Sequence, residues 1–142
     1  MFDERILTIL REKVFYMGTT CDNIPRVRPM RPFVDDEGNI WLISHKDTEK
    51  TREIEINNKV EICTLSDNND LLRLQGQLIP GKDLAAEDTE KVRGQIIAKL
   101  PGIKAFFGDA GDANMTIYKL VVDNFVFRAY NDAGKAELHF KQ

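Results

Sequence analysis

The chain has 142 residues, a formal net charge of −3, 42% hydrophobic residues and 30% charged residues. This composition is typical of one globular domain, and the small negative charge provides no basic field for nucleic acid or an acidic membrane. No apolar run approaches the roughly 20 residues of a membrane span. The start, MFDERILTIL, lacks the basic and long apolar regions of a secretory signal. We therefore expect one cytoplasmic domain over residues 1–142 that binds neither nucleic acid nor membrane.

The cysteines and histidines do not form a metal-binding pattern. Cys21 and Cys63 lie far apart without a CxxC spacing, and the histidines are His45 and His139. A zinc site requires a cluster of such ligands. We expect reduced thiols and no metal site.

The first part of the chain predicts a helix, three strands and a second helix. Residues 3–13 have helical periodicity, with Asp3 as N-cap. The strands VFYMGTT, PRVRPMRP and IWLIS follow, separated by the turn sequences CDNIP and DDEGN, the second with Gly38. Thr48 is predicted to cap a polar helix that ends at Asn57 and Asn58.

The second part predicts strands VEICTL and LLRLQGQLIP, then a long amphipathic helix over residues 83–100. A loop rich in glycine and aspartate, residues 108–114, lacks the ligand spacing of an EF-hand. A final hairpin, MTIYKLVV and FVFRAY, is predicted to turn at Asp123 and Asn124. Short antiparallel hairpins without a regular βαβ rhythm favour an α+β fold with a small barrel of about six strands.

The segment PRVRPMRP, residues 25–32, is an unusual strand because it combines arginines with prolines. Strand alternation divides its side chains between two faces, one with Arg26, Arg28 and Met30 and the other with Val27, Pro29 and Arg31. Arginine can hold a phosphate in a fixed fork. The arginines can equally be solvated charges paired with the many acids of the chain, and spacing alone favours this second interpretation.

A second polar cluster supports the phosphate interpretation. Ser44 and His45 end the strand IWLIS, and Lys50 and Thr51 lie at the start of the next helix. A helix start offers free N–H groups and a positive dipole end to an anion. Together with an arginine from the neighbouring strand, these residues predict a phosphate pocket. The P-loop and Rossmann patterns do not occur.

Three segments in order, PRVRPMRPF, GNIWLISHKDTEKTREIEINNKVEI and LRLQGQ, resemble the pyridoxamine-phosphate-oxidase-like family of FMN-binding split β-barrels. The resemblance covers roughly residues 5–130. Its most specific pieces are the arginine-led strand, the strand ending in a small hydroxyl residue, the lysine before a short helix ending in Asn-Asn, and the strand with Gly76. It implies a six-stranded antiparallel split β-barrel with flanking helices.

The resemblance also implies FMN as the cofactor, at the interface of a homodimer in which the second subunit completes each site. The residues expected at the flavin are Arg28, Pro29, Met30 and Arg31 along the strand, Ile43, Ser44 and His45 on the next strand, and Lys50 and Thr51 at the phosphate.

Two departures from the family pattern argue against pyridoxamine-phosphate oxidation. The oxidases usually carry a second basic residue directly before the phosphate-binding lysine, where this chain has Glu49. They also carry a C-terminal Trp-Arg segment, whereas the single tryptophan here is Trp41 and the tail reads KAELHFKQ. The chain looks closer to the nitroimidazole-resistance branch, which is associated with flavin-dependent reduction.

The resemblance leaves several functions open and assigns no catalytic residue. One is an FMN-dependent oxidoreductase that moves electrons between a small-molecule donor and a small-molecule acceptor, with nitro compounds as one acceptor class. Another is a non-catalytic FMN-binding or electron-carrier protein. A third is a split barrel that holds heme or a deazaflavin.

Overall fold

The computed structural model of the chain describes residues 2–130 and 138–141. Within these residues the chain forms eight strands, three α-helices and two short 3₁₀ helices. The α-helices are α1 (Glu4–Glu12), α2 (Glu49–Ile56) and α3 (Ala86–Lys99). The strands are β1 (Phe15–Cys21), β2 (Ile24–Met30), β3 (Phe33–Val34), β4 (Ile40–His45), β5 (Lys59–Leu65), β6 (Leu71–Pro80), β7 (Met115–Arg128) and β8 (Leu138–Lys141).

The strands form one curled antiparallel sheet, a half-barrel, in the order β2-β1-β5-β6-β7-β4-β3. The long strand β7 also pairs with β8, so its first half lies beside β4 and its second half beside β8. The predicted α+β fold is confirmed, but the described residues contain eight strands rather than six. The two short strands β3 and β8 were missed because two and four residues are too few for a periodic signal.

The predicted final hairpin is wrong. β7 runs without a turn through Asp123 and Asn124. Gln75 lies opposite Asn124 and Gly76 lies opposite Val122, so a register shift absorbs Asp123 as a bulge. The two turn-forming residues therefore bend a continuous strand instead of reversing the chain.

Local sequence chemistry explains most of the element boundaries. The Asp3 carboxylate accepts a hydrogen bond from the Ile6 amide, and Thr48 caps α2 by accepting from the amide of Thr51, as predicted. Asp22 and Asn23 form the two-residue turn between β1 and β2 with positive φ. α3 begins three residues later than predicted because the preceding residues, Gly81–Asp83, form a 3₁₀ helix.

The core has two parts, and both position the strands that carry the predicted site. The larger part packs α1 against the inner face of the sheet around Leu10, Phe15 and Leu74. The smaller part packs α3, through Val92 and Ile96, against the outer face of β4 and the first residues of β7. None of the helices in the described ranges combines the length and apolar character that crossing a bilayer requires.

Candidate cofactor site

The arginine strand β2 lies at one end of the pairing order, next to β1. Arg28 stands opposite Met17, which is buried, and Pro29 stands opposite Tyr16, which is exposed. Strand alternation therefore directs Arg26 and Arg28 toward the inner side of the sheet, where α2 packs. Arg26 and Arg28 therefore share one face of β2.

Arg26 and Arg28 bind the same carboxylate, Glu53 of α2, which is only 2% exposed. The Nε of Arg26 lies 2.8 Å from Oε1 of Glu53, and Nη2 of Arg28 lies 3.2 Å from Oε2. Arg26 also forms an ion pair with Glu49, at 2.9 Å. For Arg26, the structure therefore supports the interpretation that the arginines of this strand pair with acids.

Arg28 differs from Arg26 because one of its donors is unused. Its Nη1 atom is buried and no described residue accepts a hydrogen bond from it. Lys50 lies near enough to interact with this charge: burial lowers the pKa of Lys50, and the positive charge of Arg28 lowers it further. Among residues 2–130, no carboxylate forms an ion pair with Lys50. Lys50, which has no acid partner within residues 2–130, thus lies beside a second cation, and an anion would stabilise this arrangement.

Lys50 lines a small cavity between α2 and the sheet. Three other predicted site residues, Met30, Ile43 and Ser44, line the same cavity. The remaining walls are apolar or aromatic and come from Met17, Leu42, Ile54, Leu78 and Tyr118. Ser44 is buried, and its hydroxyl donates a hydrogen bond to the His45 carbonyl at 3.1 Å. The structure thus brings a cation and a hydroxyl together against an apolar wall, with Arg28 beside them.

Pro29 and Arg31, predicted at the flavin, do not line this cavity. Pro29 is exposed on the outer face of β2. Arg31 follows the end of the strand, and its Nη2 donates to the carbonyl of Arg11 at 3.2 Å. The Nε of Arg31 is buried and has no partner among the described residues.

His45 and Thr51 also lie outside the cavity. His45 is exposed, its ring stacks on Phe107 at 5.8 Å between centroids, and Nδ1 lies 3.2 Å from the Lys46 carbonyl. Thr51 is buried, and its hydroxyl donates to the Thr48 carbonyl at 2.8 Å. The Thr51 hydroxyl is therefore part of the cap of α2.

Sequence reasoning missed Glu53 and Tyr118. Glu53 follows Glu49 by one helical turn, so the two acids share a face of α2, and this spacing was a usable signal for a helix that faces a cationic strand. Tyr118 looks like any aromatic strand residue, and no sequence signal marks it. It is buried at the boundary of the cavity, and burial, followed by the charge of Glu55, raises its pKa.

Arg93 of α3 holds the glycine- and aspartate-rich loop next to His45. Its guanidinium donates to the carbonyls of Ala110, Asp112 and Met115, each at 2.6 Å. The Asp112 carboxylate accepts hydrogen bonds from the amides that flank it, which lowers its pKa. Across residues 2–130 and 138–141, no group of three or more potential ligands forms a metal site.

Comparison with known proteins places this geometry in a family. The family model for pyridoxamine 5'-phosphate oxidase matches residues 2–128. No curated protein matches the chain significantly.

Several solved structures share the fold. A NimC/NimA family protein from Clostridium acetobutylicum is 22% identical, with a TM-score of 0.79 over 98% of this chain and 91% of that one. General stress protein 26 from Bacillus anthracis is 16% identical, with a TM-score of 0.73 over 96% and 97%. A pyridoxamine 5'-phosphate oxidase-related, FMN-binding protein from Nostoc punctiforme is 16% identical, with a TM-score of 0.66 over 95% and 82%. With the family match over residues 2–128, the chain belongs to the pyridoxamine 5'-phosphate oxidase-like family of split β-barrel proteins.

Proposed function

We propose that the protein binds FMN through Lys50 and Arg28 and works as an oxidoreductase on small molecules. The observation that carries this proposal is the pair of cations, with Lys50 partly buried and Nη1 of Arg28 without an acceptor. A phosphate would satisfy both donors at once. The Nostoc relative described as FMN-binding supports the same cofactor.

The cavity has a volume of only about 10 Å³, so the ligand would lie against its rim, where the residues fit FMN in three respects. Lys50 and Arg28 supply charged donors for a terminal phosphate, and the Ser44 hydroxyl can turn from the His45 carbonyl to add a third. Met30 and Ile43 supply an apolar wall. The absence of a dinucleotide motif from the sequence favours FMN over FAD.

When bound, FMN supplies the electron-transfer chemistry, and the protein supplies position and electrostatics. Lys50 and Arg28 anchor the phosphate, and Glu53 holds Arg28 in place. Because β2 pairs with β1 on one side, the N–H groups of its other side remain available to a polar ligand edge. The resemblance of the sequence to the nitroimidazole-resistance branch suggests nitro compounds as the acceptor class.

We also propose a homodimer in which the outer face of β1 and β2 is covered by a second copy. Val27 is 73% exposed and Tyr16 is 52% exposed on this face. A symmetric interface would bury this apolar surface and bring residues of the partner to each flavin. Such an interface should exceed about 2,000 Å² in total.

Two free cysteines, Cys21 and Cys63, support location in the cytoplasm.

A non-catalytic FMN carrier is the second candidate. The cavity favours it in one respect, because Lys50 and Tyr118 are the titratable residues of its described lining and no aspartate, glutamate, histidine or cysteine accompanies them. Oxidation of NADH or NADPH with an added nitroaromatic acceptor distinguishes the two: multiple turnovers per flavin support the enzyme, and a single reduction without turnover supports the carrier.

The cofactor is tested by absorption spectroscopy, followed by heat release and chromatography against FMN, FAD and heme standards. We expect FMN in about one equivalent per chain. FAD, heme, a deazaflavin, or an empty protein after incubation with excess FMN would contradict the proposal.

A further inference from the structure

A second and larger opening lies on the other side of Tyr118. It has a volume of about 850 Å³ and is bounded by the start of α2, the 3₁₀ helix Gly81–Asp83 and the start of β7. This volume falls in the range of about 300–1,000 Å³ that is typical of small-ligand sites. We call it the α2–β7 cleft. Tyr118 is the one described residue that lines both the cleft and the Lys50 cavity.

The floor of the α2–β7 cleft includes apolar side chains, and four threonines and the Tyr118 hydroxyl add polar atoms to the lining. Met115, Ile117 and Tyr118 are each 3% exposed or less. None of the hydrogen bonds among the described residues involves the hydroxyl of Tyr118, and the raised pKa keeps that hydroxyl protonated. The Tyr118 hydroxyl is therefore free to donate a hydrogen bond to an acceptor atom of a ligand in the cleft.

The charges around the cleft favour an anion. Of its acidic residues, Glu49 is paired with Arg26 at 2.9 Å and Glu55 with Lys82 at 4.0 Å. Asp47 is the one acid of the lining that has no ion pair within the described residues.

The cations of the lining are less well neutralised. Arg93 is bound by three main-chain carbonyls and has no carboxylate partner among the described residues. Lys46 and Arg52 likewise form no ion pair with a described acid. The lining holds four cations and three acids, so its net charge is +1 and the cleft has a weakly positive field.

We propose that the α2–β7 cleft binds a small organic anion with a flat apolar body and a carboxylate group. The apolar floor accommodates the body, Tyr118 donates a hydrogen bond, and the cations on the rim attract the carboxylate. This inference concerns a site separate from the proposed FMN phosphate site and does not require FMN to bind. If both proposals hold, the anion lies one side chain away from the cofactor cavity.

The test uses benzoate as the probe and benzamide as its neutral counterpart of the same shape. Saturation-transfer NMR titrations are run with the full-length protein before and after loading with FMN. We expect benzoate to bind at least fivefold more tightly than benzamide. Tyr118→Phe and Arg52→Gln should each weaken benzoate binding at least threefold, whereas Lys104→Gln, which alters an exposed cation outside the cleft, should leave it unchanged.

The proposal is overturned by equal affinity for the two probes, or by wild-type affinity in both cleft variants. Competition between FMN and benzoate would also overturn it, because the cleft would then be the cofactor pocket itself. Arg52 is exposed, so Arg52→Gln remains a valid test even if Tyr118→Phe fails to fold. Benzoate binding to a protein that does not take up FMN would contradict the proposed function alone.

Discussion

Arg28 and Lys50 carry like charges that repel each other in the folded protein. Burial lowers the pKa of Lys50, and Arg28 lowers it further. Glu53 holds Arg28 from one side, and the backbone of Lys50 belongs to the first turn of helix α2. The fold thus maintains an unfavourable contact that an anion would relieve, which is a common property of binding sites.

Replacing Lys50 by alanine should weaken FMN binding more than replacing Arg26 by alanine. Lys50 has no carboxylate partner among the described residues, whereas Arg26 is paired with Glu49 and Glu53. Loss of a charged donor to phosphate costs about 1.5–3 kcal/mol, or about one to two decades in Kd. Flavin fluorescence titration measures both variants. Equal, small losses would mean that the phosphate is held elsewhere.

FMN affinity should fall as the pH rises through the lowered pKa of Lys50, because the neutral amine no longer attracts phosphate. Lys50→Arg should keep its affinity over the same range, since arginine remains charged. Without FMN, the effect of rising pH on the free energy of unfolding has the opposite sign. The folded pKa lies below the ordinary value of 10.5, so the contribution of Lys50 to the free energy of unfolding increases between these two values. FMN titrations of the wild-type protein and of Lys50→Arg across this pH range test the prediction. Parallel curves of FMN affinity against pH would refute it.

Glu53→Gln should lower the free energy of unfolding by about 1.5–3 kcal/mol, because two arginines lose a buried charged acceptor. Glu61→Gln is the matched control. It removes an ion pair with Arg73 at 3.0 Å in which both side chains are nearly half exposed, and it should cost no more than about 1 kcal/mol. Urea denaturation of the two variants gives the comparison. A cost for Glu53→Gln as small as that of the control would show that the shared carboxylate does not stabilise the fold.

Gly76→Ala should destabilise the protein by about 3 kcal/mol or more. A Cβ atom at this position would lie 2.1 Å from the carbonyl oxygen of Val121, and main-chain atoms in a central strand pair cannot move away cheaply. Gly94→Ala in α3 meets no atom within 4 Å and should stabilise the protein by about 0.5–1 kcal/mol. Thermal unfolding followed by circular dichroism should show a lower Tm for Gly76→Ala and a higher Tm for Gly94→Ala. A tolerated Gly76→Ala would mean that β6 and β7 can move apart.

Val27→Glu should convert the proposed homodimer into monomers with weakened flavin binding, because it places a charge in the centre of the apolar outer face. Val121→Glu alters a residue of β7 that is also exposed, and it should leave the dimer intact. Sedimentation velocity of the FMN-loaded proteins reports the assembly state. A wild-type monomer that retains tightly bound FMN would rule out a site shared between subunits.

The parts of the fold that depend on local chemistry could be predicted from the sequence. Asp3 and Thr48 cap the expected helices, and Gly38 adopts the positive φ of a hairpin loop. Asp123 and Asn124 misled the prediction because their turn chemistry is local, whereas pairing with β6 is set by residues almost 50 positions away. Pairing with a long partner strand on both sides of the bulge outweighs the turn propensity of these two residues.

The candidate site was predictable to the extent that strand alternation governs it. Strand alternation correctly placed Arg26 and Arg28 on one face of β2. Ser44 and Lys50, which the sequence predicted to lie together, line the same cavity. The sharing of Glu53 by two arginines was not predictable, because it depends on how α2 packs across the sheet.

The position of β7 between β6 and β4 affects how the protein matures during synthesis. β4, which carries Ser44, pairs with residues 115–120, and Tyr118 from that segment closes the cavity of Lys50. The ribosome synthesises β4 about 70 residues before residues 115–120, so one edge of the β3–β4 hairpin has no partner strand until β7 has been made. The cavity cannot close on a nascent chain that stops before β7. If the proposed cofactor binds at this cavity, it can be captured only in the final stage of synthesis, and chaperone protection of the unpaired edge of β4 would be most valuable before that stage.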